Sequence, residues 1–231
     1  APPSSPALRG TIVGADGIIS MIAGPTRVYA CDGTYALWTV DLSNPDAPSY
    51  VSLDIVPEVG GCNGLAIRND RLFMAGSYGL GIYDISTGDA VFEGAAILPA
   101  EDILLGVAIR DDYLYAPTYV RDHEGVYGAA QRLVVFDLSD PSAPVRVFKS
   151  EDLGGVTDIS IRGDKLFLGG RGHGVWVWGL STPAQPTLEG LIPVQGDAFR
   201  LTHSPDDAGI LYVSARAGGI GVVRLGQLPE D

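Results

Sequence analysis

Arg121, Arg171, Arg200 and Arg216, with His123, His173 and Tyr119, are the side chains of this sequence best suited to hold another molecule. A guanidinium is a planar fork that matches a carboxylate, and tyrosine adds flat apolar area at small entropic cost. Catalysis asks for a different set. Glycoside hydrolysis, for example, needs two carboxylates about 5 to 9.5 Å apart. Only Asp158 is expected beside these cations; Glu101, Asp102, Glu151, Asp152 and Asp197 fall in connecting segments. No G-x-S-x-G, HExxH or P-loop stretch occurs. The residues therefore read as a binding set without a catalytic one, and no cofactor is expected.

Cys31 and Cys62 are the only cysteines. An even pair fits one disulfide made in an oxidising compartment, with two free thiols as the alternative. Neither lies in a Cys-x-x-Cys or Cys/His grouping that would suggest zinc. The net charge of -13 argues against nucleic acid and against an anionic membrane surface, because both need clustered cations. No apolar run approaches the roughly 18 residues of a membrane span. The sequence opens APPSSP with no initiator Met, as a processed export signal or a trimmed chain would leave it. The expected setting is extracellular, periplasmic or cell-surface.

The elements that carry these residues repeat. One phrase recurs as LWTVDLSNP from Leu37, LGIYDISTG from Leu80, LVVFDLSDP from Leu133, VWVWGLSTP from Val175 and IGVVRLGQL from Ile220. The starts are 43, 53, 42 and 45 residues apart. A second phrase precedes each copy, as in GLAIRNDRLFMAG from Gly64, GVAIRDDYLYAPT from Gly106 and DISIRGDKLFLGG from Asp158. SMIAGPTRVYACD from Ser20 and RLTHSPDDAGILYVSA from Arg200 are weaker versions. Alternating apolar residues with turn residues every 8 to 12 positions predict strands. With 31 Gly and 16 Pro, the composition suits short strands and tight turns.

Four-stranded units of about 40 to 45 residues are the spacing of propeller blades. The sequence thus predicts an all-β fold, a five-bladed β-propeller in one domain over 1–231. The blades fall at about 17–57, 63–98, 105–150, 157–193 and 198–228. The fifth unit stops short of a fourth strand, and PALRGTIV (Pro6 to Val13) matches PTLEGLIP (Pro186 to Pro193). The expectation is that residues 6–13 complete the last blade and close the ring, removing an exposed edge.

The signature phrases resemble the LVIVD-repeat family, whose units end in an apolar run, an Asp, an apolar-Ser step and an Asn/Asp-Pro turn. LWTVDLSNPDAP and LVVFDLSDPSAP match closely, with Asp41, Asp84 and Asp137 as the repeated acid; Gly179 and Arg224 replace it in the last two copies. The resemblance implies a propeller-like, often exported or surface-associated binding protein. It carries over no active site.

First strands line the channel of such a ring, placing Ser20, Gly64, Gly106, Asp158 and Arg200 at one level. Asp158 with Arg200 reads either as an ion pair at the channel mouth or as a ligand clamp. Asp70, Asp111, Asp112, Asp164, Asp206 and Asp207 form an acidic rim on the hairpin face. Arg162-Gly163-Asp164 belongs there as one more hairpin, in register with Arg-Asn-Asp and Arg-Asp-Asp, and not as an adhesion motif. The opposite face collects Tyr119, Arg121, His123, Arg171, His173 and Arg216. The 53-residue spacing marks a long loop at about 118–131 that either crosses the mouth or is a tolerated insertion. The expected function is non-catalytic: this face binds a protein partner or a small anionic or sugar-like ligand, in a monomer or a subunit of a larger assembly. A glycan-processing enzyme or a lectin with its site at the channel mouth is the alternative.

Overall fold

The structure is a computed structural model that describes residues 8–12, 17–24, 26–32, 36–99, 102–121, 127–207 and 209–226. Five antiparallel sheets follow one another along the chain as blades. Blade 1 comprises β1 (Ser20–Ala23), β2 (Arg27–Cys31), β3 (Ala36–Asp41) and β4 (Ser49–Ile55). Blade 2 comprises β5 (Gly64–Arg68), β6 (Arg71–Ala75), β7 (Gly79–Asp84) and β8 (Val91–Ile97). Blade 3 has β9 (Asp102–Leu104), β10 (Ala108–Arg110), β11 (Tyr113–Arg121), β12 (Tyr127–Asp137) and β13 (Val145–Lys149). Blade 4 has β14 (Val156–Arg162), β15 (Lys165–Gly170), β16 (Gly174–Gly179) and β17 (Thr187–Ile192). Blade 5 has three strands, β18 (Arg200–His203), β19 (Ile210–Ser214) and β20 (Ile220–Arg224).

In blades 2 to 4 the second and third strands are buried because those sheets are packed on both faces. Among the described residues four apolar cores form, one at each junction from blade 1 to blade 5. Leu72, Met74 and Tyr83 of blade 2 pack on Tyr29 and Leu37 of blade 1. Leu114, Val134 and Phe136 meet Phe73 and Ile82; Leu166, Leu168 and Trp178 meet Tyr115 and Val135; Leu211 and Val213 meet Phe167 and Val175. Fourth strands lie outside these cores and are largely exposed. Toward the axis, blades 2 and 3 touch so closely that a Cβ on Gly64 would lie 2.8 Å from the Gly106 Cα, which explains the small residues there.

The repeated acid ends the third strand by a local hydrogen bond. Asp41 accepts the Ser43 N–H at 2.7 Å, Asp84 the Ser86 N–H at 2.8 Å and Asp137 the Ser139 N–H at 2.7 Å. Each is a turn in which the side chain mimics a backbone carbonyl. These bonds, and at Asp137 first of all the Ser139 hydroxyl, hold all three carboxyls below their usual range. The first hairpins share a second device. Asn69, Asp111 and Gly163 occupy the same turn position with φ of 52°, 53° and 53°, the left-handed region such turns require. Arg162-Gly163-Asp164 is therefore one of three equivalent hairpins.

Two expectations change. Among the described residues of the predicted closing strand, 8–12 form no strand on β20. Arg9 instead pairs with Asp46, and Gly10 lies against Pro48, so this segment rests on the β3–β4 turn of blade 1. The predicted long loop is mostly paired strand. β11 and β12 run on as a hairpin with Thr118 opposite Arg132 and Tyr119 opposite Gln131, and β9 adds a further strand beside β11. β9 is anchored by Asp102, 1% exposed, which accepts from Arg146 at 2.9 Å and from Lys149 at 2.9 and 3.0 Å.

Candidate binding face

Second-to-third-strand turns and blade linkers gather on one face, and the linker between blades 4 and 5 organises most of the expected site. Two guanidiniums approach the ring of Phe199. Arg216 stands 4.2 Å over its ring and Arg200 5.7 Å from it. Arg216 is carried on a single 3-10 turn, Arg216–Gly218, with φ of 44°, so the backbone holds it in a rarely adopted conformation. Two residues before Phe199, Asp197 accepts the Gly172 N–H at 3.0 Å. The Arg171 N–H donates to the Gly155 carbonyl at 2.5 Å. Linkers on either side thus fix the turn that presents Arg171 and His173. The His173 ring lies 5.9 Å from that of Trp176.

Asp158 and Arg200 are brought together, 3.6 Å apart. Asp158 Oδ2 also accepts the Leu201 N–H at 2.8 Å. Burial pushes its carboxyl above the usual range, and the Leu201 N–H and Arg200 offset only part of that. One level deeper, Ser160 Oγ and His203 Nε2 are 3.2 Å apart. Burial lowers the His203 pKa, with Arg162 adding to the effect.

The structure therefore brings Asp158, Arg171, His173, Arg200 and Arg216 around one linker. Tyr119, half-buried in β11 between Ile103 and Gln131, belongs instead to the extended hairpin of blade 3. Arg121 ends that strand, and His123 lies outside the described residues. Sequence reasoning passed over Phe199 and counted Asp197 only as a linker carboxylate. A lone aromatic two residues after an acid in a linker was the available signal, but linkers show no periodicity to mark it.

Charge is distributed unevenly. Arg68 pairs with Asp112, Arg71 with Asp84 and Glu93, Arg110 with Asp111, Lys165 with Asp164 and Glu189, and Arg224 with Asp207. Arg171 and Arg216 have no acidic partner within ion-pair distance among the described residues, and both are exposed. The same face carries the Cys31–Cys62 disulfide, which ties the end of β2 to the linker into blade 2. Among the described residues no helix is long and apolar enough to cross a membrane.

A family model, LVIVD repeat, matches residues 126–152, the stretch around the third signature phrase. No curated protein matches. Solved structures agree in fold at low identity. The WD40 β-propeller domain of Doa1 is 11% identical with a TM-score of 0.65, covering 96% of this chain and 71% of that one. The computationally designed Ika8 protein is 11% identical with a TM-score of 0.54, covering 93% of this chain and 73% of that one. The computationally designed Ika4 protein is 13% identical with a TM-score of 0.52, covering 72% of this chain and 92% of that one.

Proposed function

Starting from an LVIVD-repeat β-propeller, we propose that this protein is a non-catalytic binding module, exported or surface-associated, that takes an acidic protein segment on its linker face. The observation that carries this reading is the pair Arg171 and Arg216, exposed and without acidic partners among the described residues of a chain of net charge -13. Phe199 supplies an apolar floor beside Arg216 and Arg200, and a planar guanidinium held against a ring still presents its edge to a carboxylate. Loops on a rigid scaffold are where propellers place their contacts. Three acids near this face are already engaged, Asp158 by Arg200 and Leu201, Asp152 by the Gln131 and Gly154 N–H groups and Asp197 by the Gly172 N–H. That favours binding over acid–base work. The disulfide is compatible with an oxidising compartment.

Fluorescence anisotropy with a labelled hexaglutamate peptide at low salt tests the reading. The wild type binds, Arg171→Ala with Arg216→Ala weakens binding at least about fivefold, and Asp111→Ala with Asp164→Ala leaves it unchanged. Absence of wild-type binding, or loss confined to the Asp pair, overturns it.

A further inference from the structure

The junction between blades 3 and 4 differs from its neighbours at its outer edge, and the repeat provides an internal control. Phe148 in the fourth strand of blade 3 lies opposite Val135. The same register position holds Ser52 in blade 1, Gly94 in blade 2 and Gly190 in blade 4. Across the junction, Trp176 and Trp178 stand two apart on β16. Blade 2 has Gly81 and Tyr83 at those positions, and blade 3 has Val134 and Phe136. A fourth-strand aromatic therefore meets two tryptophans of the next blade here, where the preceding junctions offer Ser or Gly.

These three rings line a groove of about 450 Å³, with Leu153 and Leu188 beside them. That falls within the size of small-molecule sites, about 300 to 1,000 Å³. The rings of Phe148 and Trp178 are 6.3 Å apart with planes at 79°, so they make two walls nearly at right angles. The polar side chains of the groove are engaged, with one exception. Lys149 donates twice to Asp102. The Ser150 hydroxyl donates to the Glu151 carbonyl at 2.7 Å and accepts the Leu133 N–H at 3.0 Å. Asp152 accepts the Gln131 and Gly154 N–H groups. Both indole nitrogens are buried, so neither presents a donor to an occupant. The exception is Glu151, which is exposed and whose carboxylate has no hydrogen bond or ion pair among the described residues.

An occupant thus meets aromatic walls and one free carboxylate, with little else to hydrogen-bond. A sugar or a phosphate would leave its polar groups unpaired there. A quaternary ammonium ion has no N–H to satisfy, and aromatic faces, tryptophan above all, attract it. The lining carries two carboxylates against one ammonium, itself held by Asp102, and the net charge of -13 favours a cation at longer range. We infer that the groove between blades 3 and 4 binds a small quaternary ammonium solute of the choline type, with its methyl groups against Phe148, Trp176 and Trp178 and its charge balanced by Glu151. The groove shares no residue with Arg171, Phe199 or Arg216, so it stands or falls apart from the acidic segment on the linker face.

Isothermal titration calorimetry with choline chloride tests the inference, with neohexyl alcohol, the uncharged carbon analogue, as control. The wild type binds choline about tenfold more tightly than the alcohol. Trp176→Val, which gives blade 4 the residue that blade 3 carries at that position, weakens choline binding about tenfold. Glu151→Gln weakens it about two- to fivefold. Circular dichroism establishes that each variant is folded; Glu151→Gln changes an exposed position and carries the test by itself if Trp176→Val is disrupted. A wild type that ignores choline or binds the alcohol equally well overturns the inference, as do folded variants that bind choline like the wild type. Binding confined to phosphatidylcholine vesicles or to a trimethyl-lysine peptide overturns it too, by assigning the cation to a lipid or a protein partner.

Discussion

The Tyr115 hydroxyl donates to the Pro183 carbonyl at 3.0 Å, joining the centre of blade 3 to a turn of blade 4. Its ring is fully buried and its pKa is pushed up to about 12, first by desolvation. The ring fills the core between blades while the hydroxyl serves a carbonyl at its edge. Tyr115→Phe keeps the ring and removes the bond. The expected loss is about 1 kcal/mol in urea denaturation, the usual net value of one such bond. An unchanged midpoint would assign the tyrosine to packing alone.

The bridge between Cys31 and Cys62 is the one covalent constraint across a blade junction in the described residues. The two cysteines are 31 residues apart, and closing a loop of that length removes unfolded-state entropy worth about 3.7 kcal/mol in the chain-entropy model. Thiol titration of native protein without reductant is expected to find no free thiol. Cys31→Ala with Cys62→Ala is expected to lower the unfolding free energy by roughly 3 to 4 kcal/mol. Two titratable thiols in the isolated protein would contradict the bridge.

Acid should weaken the third-strand turns. Hydrogen bonds from the following serines, led by the N–H of Ser43 and Ser86 and by the hydroxyl of Ser139, hold the folded-state pKa values of Asp41, Asp84 and Asp137 below the ordinary carboxylate range. A depressed folded pKa contributes stability that is present above the unfolded value and lost as pH falls through the folded one. The melting temperature is therefore expected to drop as pH falls below the ordinary carboxylate range. Replacing all three with Asn retains an acceptor at each turn and flattens that drop. A variant with the same acid profile as the wild type would show that other carboxylates govern it.

Blades could be read from the sequence because the repeat writes its physics in fixed register. Asp41, Asp84 and Asp137 recur because one turn chemistry recurs, and the alternation around Phe73 or Phe167 recurs because the sheets of blades 2 to 4 are packed on both faces. The closing strand could not be read the same way. PALRGTIV matches a fourth strand in pattern, but pattern does not encode a partner, and the attraction of Arg9 to Asp46 draws residues 8–12 elsewhere. At the candidate site, charged residues on turns were visible as types and positions. Phe199 and Asp197, which gather them, lie in an aperiodic linker.

Asp158 makes the last prediction, because burial and binding pull on the same carboxyl. Desolvation raises its folded-state pKa, and the Leu201 N–H and Arg200 counter that only in part. A carboxyl with a raised folded pKa contributes stability fully below the unfolded value and loses it as pH rises through the folded one. The ionised form is thus a burden at neutral pH. Asp158→Asn keeps an acceptor for the Leu201 N–H and removes the charge. The ion pair it gives up is modest, since the Arg200 side chain is 56% exposed and screened by water. The variant is expected to melt at or above the wild type at pH 7, with its advantage shrinking as pH falls through the raised folded pKa and gone once pH is below the ordinary carboxylate value. Freed of its counter-charge, Arg200 joins Arg171 and Arg216, and hexaglutamate binding is expected to tighten about two- to threefold. Thermal melts across pH and one anisotropy titration check both. A variant that is less stable at pH 7 and binds the peptide no better would show that the Asp158–Arg200 pair serves to hold blades 4 and 5 together and does not limit the charge of the face.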